Sequence, residues 1–167
     1  FTRKDITQHK DLFGDCKDDE IKIKGKCLNW KDTRVEKYLL DNLKSKKPLL
    51  AKNIRAPYQN RANCWFNTFF MLFFITDKGR KFFKAFRESM ITGKFKTTKA
   101  KIPDKVRYPF WLLNKMITAA LLGTLDPTGF WNEMNTNDVI QEIYQKIGKK
   151  YSGTQMVGFN EITKPGD

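Results

Sequence analysis

Histidine is nearly absent from this 167-residue chain, which contains only His9. A mechanism that needs several imidazole groups is therefore excluded. Cysteine is sparse as well: the chain contains three, Cys16, Cys27 and Cys64. An odd, low count argues against a secreted domain held together by disulfides and predicts a reducing compartment. No metal site is predicted from His9, Cys16 and Cys27, because their spacing matches no compact zinc module.

Long apolar runs are missing too. The longest run, residues 69–75, is far shorter than the ~20 residues that a membrane-spanning helix needs. We therefore expect no membrane span. The chain begins at Phe1 rather than Met and shows no signal-peptide pattern. These features favour a protein that is not secreted, and a processed chain or a piece of a longer one.

Positive charge dominates what is present: 32 Lys and Arg against 18 Asp and Glu give a formal net charge of +14. Fourteen Phe and four Trp supply enough apolar surface for a packed core, which argues against wholesale disorder. A solvated basic surface is the simplest explanation of the charge. The functional explanation is contact with acidic partner proteins, or non-specific contact with polyanions such as nucleic acid.

Apolar residues recur at helical spacing in several segments. Helices are predicted from Trp30 to before Pro48, over 64–75, over 80–91, from about 109 to 122, and over 137–147. Segment 64–75 is apolar nearly all round, which predicts a helix buried in the centre of a domain. Phe82, Phe83 and Phe86 are expected on the buried side of the next helix.

Composition divides the chain near residue 50. Residues 1–50 are mostly polar and charged, and are predicted to form an arm with one amphipathic helix. Residues 51–167 hold the apolar segments and are predicted to form a helical domain. The predicted fold class is α-rich, and α+β at the margin.

Cys64 stands where a polar run, 58–63, gives way to the long apolar helix. A thiol at a helix N-terminus lies near the positive end of the macrodipole, which favours the thiolate. An amide side chain upstream can donate a hydrogen bond to a developing oxyanion. Gln59 is the candidate for that role and Asn60 the alternative. The competing interpretation of Cys64 is a buried structural thiol, since free Cys is among the most buried residue types.

The sequence Asn63-Cys64-Trp65-Phe66-Asn67-Thr68 resembles the Cys box of the ubiquitin-specific proteases. Cys-Trp-Phe-Asn before an apolar helix is also similar to papain-type peptidase proteins of large double-stranded DNA viruses. The resemblance covers residues 58–69. It implies the helical half of a papain-like domain, a catalytic nucleophile at Cys64, an oxyanion-binding amide at Gln59, and no cofactor.

The same families place a catalytic His downstream of the Cys, whereas no His follows Cys64 and His9 precedes it. Without an imidazole to accept the thiol proton, general-base assistance of about 10²- to 10⁴-fold is missing. This favours a basic structural or interaction protein, a minor capsid component of a large DNA virus that contacts other capsid proteins. The alternative is the nucleophile-bearing part of a cysteine peptidase whose His lies outside this chain.

That peptidase would act through a thioester on ubiquitin linkages or on a viral polyprotein. The predicted location under either function is the virion or the host cytoplasm.

Overall fold

This computed structural model describes residues 16–17, 19–46, 49–57, 63–122 and 136–147. Two strands, β1 (Glu20–Ile23) and β2 (Lys26–Asn29), form an antiparallel hairpin. The α-helices in those ranges are α1 (Thr33–Lys44), α2 (Cys64–Phe70), α3 (Asp77–Phe82), α4 (Lys84–Thr92), α5 (Arg107–Leu122) and α6 (Thr136–Ile147). A π-helix, Met71–Ile75, continues α2, and 3-10 turns lie at Ala51–Asn53 and Asp104–Val106. The α-rich α+β class is confirmed.

The hairpin turns at two residues that both have positive φ, Lys24 at 49° and Gly25 at 79°. Positive φ at both central positions is the type I′ geometry that matches the twist of a two-residue hairpin. Ile21 pairs with Leu28 across the ladder and is 4% exposed. The hairpin therefore contributes one face to the core, which the sequence interpretation had not foreseen.

Cys16 and Cys27 form a disulfide, with their Cα atoms 5.3 Å apart. The expectation that the cysteines are reduced was wrong for this pair, because the hairpin brings two residues that are 11 apart in sequence into bonding distance. Glu20 is the acidic neighbour of the two sulfur atoms. Because the sulfurs are bonded to each other, neither is a thiolate ligand for a metal in this state.

Three predicted helices lie close to their expected positions, as α1, α5 and α6. Asp32 caps α1, and its side chain accepts a hydrogen bond from the backbone N–H of Arg34. Val35 and Leu39 of α1 belong to the same core cluster as α5. The amphipathic helix expected in the 1–50 arm is thus present, and the division at residue 50 stays a prediction.

Helix α5 is the centre of the core. Met116, Ile117 and Ala120 are fully buried, and Pro109 occupies the first turn, where its missing N–H costs no hydrogen bond. Helices α1, α4 and α6 and the π-helix contact it. No helix in the described ranges is long and apolar enough to cross a membrane.

The apolar segment after Cys64 ends at Thr76, whose hydroxyl donates to the carbonyl oxygen of Leu72 at 2.7 Å and accepts from the backbone N–H of Gly79 at 3.1 Å. Helix α3 then begins at Asp77 and lies against the π-helix. A Cβ at Gly79 would lie 2.0 Å from the Leu72 carbonyl oxygen. Glycine is therefore required here by the close approach of two backbones.

The expected burial of the Phe-rich segments was partly wrong. Phe70 and Phe74 lie in the core, but Trp65, Phe69 and Leu72 on the other side of the same helical segment are exposed. The core contacts this segment along one stripe, so the apolar residues away from that stripe stay at the surface. Phe82 is 81% exposed and Phe86 is 44% exposed. These last two also contradict the predicted buried side of the following helix.

The single predicted helix is two short ones, because a turn at Phe83 (φ −86°, ψ 6°) separates α3 from α4. Phe83, Arg87 and Met90 recur at intervals of four and three residues on the side that faces the core. Phe82 and Phe86 lie on another side of the segment and are therefore exposed.

Candidate functional site

Cys64 is the first residue of α2 and is exposed to solvent. The prediction that Cys64 begins the apolar helix is confirmed. The competing interpretation, a buried structural thiol, was wrong because the thiol lies on the solvent side of the helix while Phe70 and Phe74 take the core side. The backbone carbonyl oxygen of Cys64 accepts a hydrogen bond from the Thr68 hydroxyl at 2.9 Å.

No side chain in the described ranges forms a hydrogen bond with the Cys64 sulfur. Gln59, Asn60 and His9 lie outside the described residues. The nucleophile role of Cys64 and the oxyanion roles of Gln59 and Asn60 therefore stay predictions.

The two asparagines that flank Cys64 in the Cys box contact helix α6 rather than the sulfur. Asn63 is fully buried, and its Nδ2 donates to the Thr136 hydroxyl oxygen at 3.1 Å. The Thr136 hydroxyl donates in turn to Oδ1 of Asn67, and Asn67 Nδ2 donates to Asn63 Oδ1 at 3.4 Å. This closed network of three side chains fixes the start of α2 against the start of α6.

Five large apolar side chains form an exposed surface that we call the aromatic face: Trp65, Phe69, Leu72, Phe82 and Phe86. The first three recur at intervals of four and three residues, which places them on one side of α2 and the π-helix. Phe82 and Phe86 are four residues apart, in α3 and α4.

Ring contacts join the two parts of the aromatic face. Phe69 stacks on Phe73 with ring centroids 5.4 Å apart, and Phe73 lies 4.8 Å from Phe83. Phe83 in turn contacts Phe82 at 5.0 Å. Phe69 and Phe82 are thus linked through two partly buried rings, Phe73 and Phe83.

Three lysines lie in the same two helices, α3 and α4, as Phe82 and Phe86. Lys78, Lys81 and Lys84 are all exposed. The carboxylate of Asp77, on the same segment, is engaged by the Arg80 guanidinium. The aromatic face therefore combines exposed apolar area with positive potential, the combination that suits an acidic and partly apolar partner.

A cavity of about 460 Å³ lies elsewhere, between the segment that follows the hairpin, α1, α4 and the start of α5. Trp30 and Trp111 form part of its wall, and Val35, Leu39 and Met90 line its apolar side. None of its lining residues belongs to α2 or the π-helix. The cavity is thus separate from both Cys64 and the aromatic face.

Sequence reasoning missed the aromatic face because it treated every apolar residue of 64–86 as core. The available signal was the second stripe at positions 65, 69 and 72, which duplicates the helical spacing of the core stripe at 66, 70 and 74. Periodicity alone does not say which of two apolar stripes is covered.

No family model matches this chain, and neither a curated protein nor a solved structure matches it.

Proposed function

We propose that this chain is a basic interaction protein that docks on an acidic partner protein through its aromatic face. The single observation behind the proposal is that face: five large apolar side chains exposed at the surface of consecutive helical segments, with Phe69 and Phe82 linked through the rings of Phe73 and Phe83. Contiguous apolar patches of more than a few hundred Å² are uncommon on monomers and mark interaction sites. Burying them against a partner removes that area from water.

The positive charge of the chain favours a partner with an acidic surface. Lys78, Lys81 and Lys84 lie beside the aromatic face, and the whole chain has a net charge of +14. An acidic protein surface would be attracted by this potential and a basic one repelled. This supports an acidic protein as the occupant.

The setting that we propose is the virion of a large DNA virus, with the chain as a minor capsid component. This part depends on the resemblance at Asn63–Thr68. The Cys16–Cys27 disulfide favours the virion over the reducing host cytoplasm, because disulfides persist outside reducing compartments.

The test uses a photo-crosslinking amino acid, p-benzoylphenylalanine, in place of Phe82 in the natural source. Phe95 is the matched control site, because its side chain is exposed but it lies outside the aromatic face. We expect one acidic protein to be crosslinked from position 82 and not from position 95. Its purified form should bind about 10- to 100-fold more weakly to Phe82→Ser, as for a central interface residue, and unchanged to Phe95→Ser.

Equal crosslinking from both positions, or equal binding of both serine variants, would contradict the docking role. Crosslinks only between copies of this chain would replace the acidic partner by self-association, which light scattering on the purified protein would show independently.

The second candidate function is the nucleophile-bearing part of a cysteine peptidase, favoured by one observation: Cys64 is exposed at the start of a helix. In that mechanism the Cys64 thiolate attacks the carbonyl carbon of an amide, and Gln59 or Asn60 and backbone N–H groups bind the oxyanion. The C–N bond then breaks, the amine leaves with the proton that the His outside this chain took from the thiol, and water hydrolyses the thioester to a carboxylic acid and the free thiol. The substrate class would be ubiquitin linkages or a polyprotein.

Alkylation kinetics separate the two functions. Iodoacetamide should modify Cys64 in the native, unreduced protein at a rate within about tenfold of glutathione at every pH from 5 to 8. Cys16 and Cys27 stay silent because they are disulfide-bonded, and Cys64→Ala removes the signal. A rate that stays high at pH 5, far above that of glutathione, would establish an activated thiolate and support the peptidase instead.

A further inference from the structure

Arg87 is a buried cation without an acidic partner in the described part of the chain. Its side chain lies under α4 against α5, and the residue is only 2% exposed. Nε donates to Oδ1 of Asn114 at 3.1 Å, and Asn114, itself fully buried, is oriented by a bond from its Nδ2 to the Phe110 carbonyl oxygen at 2.8 Å. A guanidinium has five N–H donors, and within the described ranges this bond uses one of them.

A second guanidinium lies nearby. Arg80 precedes Arg87 by seven residues. Helical hydrogen bonds continue across the turn at Phe83, whose N–H donates to the Gly79 carbonyl oxygen at 2.8 Å and whose carbonyl oxygen accepts from the Arg87 N–H at 2.9 Å. The two arginines are therefore two helical turns apart and start from the same side of the α3–α4 segment. Arg80 Nη2 binds the carboxylate of Asp77, whereas Arg80 Nε is buried and has no hydrogen-bond acceptor in the described residues. Burial, and then the positive charge of Arg80, lower the pKa of Arg87 to about 10.

The charges of this cluster do not balance. Arginine stays protonated at neutral pH, so Arg80 and Arg87 carry two positive charges against the one negative charge of Asp77. The Asp77 side chain is 82% exposed, so water screens it more than it screens the buried Arg87. A buried cation without a counter-charge is costly, and the unused guanidinium donors suit a ligand with several negatively charged oxygen atoms.

We propose that Arg80 and Arg87 form a binding site for an oxyanion of the phosphate class. Asn114 holds the Arg87 guanidinium in place through Nε, which leaves its Nη groups for the anion. The anion reaches the site from solvent past Arg80, whose side chain is 30% exposed. The oxyanion can be free phosphate or the phosphate of a lipid headgroup, which present the same oxygen atoms to the two guanidinium groups.

The proposed oxyanion site is independent of the docking function. The arginine cluster consists of residues 80, 87 and 114, none of which belongs to the aromatic face. Loss of docking would leave phosphate binding intact, and loss of phosphate binding would leave docking intact.

The test follows the Nε–Hε signals of ¹⁵N-labelled arginine by NMR while inorganic phosphate is added to the full chain. Sodium chloride at matched ionic strength is the control titration. We expect the Arg80 and Arg87 signals to shift along a saturable curve with phosphate, and the Arg34 signal, from an exposed ion pair with Asp32, to follow ionic strength alone. Vesicles of phosphatidylcholine with and without phosphatidic acid form the second arm.

Arg80→Gln should weaken phosphate binding by about tenfold or more, since a hydrogen bond to a charged group is lost. Arg34→Gln is the matched control and should bind as wild type does. Arg80 rather than Arg87 is replaced first because removing the buried residue risks the fold. A saturable shift of the arginine signals with inorganic phosphate identifies free phosphate as the ligand. A saturable shift with phosphatidic acid vesicles alone identifies the phosphate of a lipid headgroup. Shifts equal in chloride and phosphate, or unchanged binding by Arg80→Gln, would overturn the proposal.

Discussion

The side chain of Asp32 both caps the start of α1 and forms an ion pair with Arg34. Its Oδ1 accepts from the backbone N–H of Arg34 at 2.8 Å, and its carboxylate pairs with the Arg34 guanidinium at 2.6 Å. The side-chain bond from Arg34, followed by the backbone bond, lowers the pKa of Asp32 to about 2. Because the ordinary Asp value is about 3.9, folding favours the ionised form.

The lowered pKa of Asp32 determines how its contribution to stability changes with pH. A group whose pKa is lower in the folded state stabilises the fold above its unfolded pKa, and that contribution disappears as pH falls through the folded value. We expect Asp32→Asn to lower Tm at neutral pH, and the Tm difference from wild type to shrink between about pH 4 and pH 2. Thermal melts from pH 7 to pH 2 measure it.

Asp41→Asn is the matched control, because Asp41 is an exposed residue of the same helix with no ion pair in the described ranges. It should leave Tm near the wild-type value at neutral pH. A Tm difference for Asp32→Asn that is the same at pH 2 as at pH 7 would contradict the assigned role of the charge.

At the scale of elements, the start of α2 is joined to the start of α6 by the hydrogen bonds among Asn63, Asn67 and Thr136. These elements are far apart in sequence, and Asn63 and Thr136 are both fully buried. In the Cys box the asparagines therefore have a structural role that the resemblance did not imply. They fix the helix that presents Cys64.

Thr136→Val tests this connection, because valine has nearly the shape of threonine and lacks the hydroxyl. It removes the hydroxyl that accepts from the buried Asn63 Nδ2 and donates to Asn67 Oδ1, so we expect a loss of about 1–3 kcal/mol in the free energy of unfolding. Urea denaturation measures it.

Thr68→Val is the control, since the Thr68 hydroxyl is exposed and bonds only the Cys64 carbonyl. It should change stability by no more than about 0.5 kcal/mol. Equal losses for the two variants would show that the network is not what joins α2 to α6.

Sequence periodicity predicted the helices well where one apolar stripe faces the core. Val35 and Leu39 in α1, and Val139 and Ile140 in α6, are buried as their spacing indicates. It failed over 64–86, where two apolar stripes share one segment. Which stripe is covered depends on where α5 lies, and that is a tertiary property.

At the scale of the whole molecule, one core cluster includes side chains from the hairpin, α1, the π-helix, α4, α5 and α6. Ile21 lies in it together with Met90 and Met116, although Ile21 belongs to the first strand and the two methionines to helices much later in the chain. The buried centre is apolar, and most of the charge stays at the surface. Among the described residues, Arg87 and Lys115 are the buried cations; Lys115 Nζ donates to the Glu20 carbonyl oxygen, and the charge imbalance at Arg87 underlies the proposed oxyanion site.

The amino-acid sequence by itself determined the basic surface, the helical character and the start of a helix at Cys64. These follow from composition, local spacing and capping chemistry, which act over a few residues. Tertiary structure alone decided three other features: the Cys16–Cys27 bond, the exposure of the aromatic face, and the burial of Arg87 beside Arg80. Each depends on which segments meet in space, and burial and pairing energies between distant segments are not encoded in any local pattern.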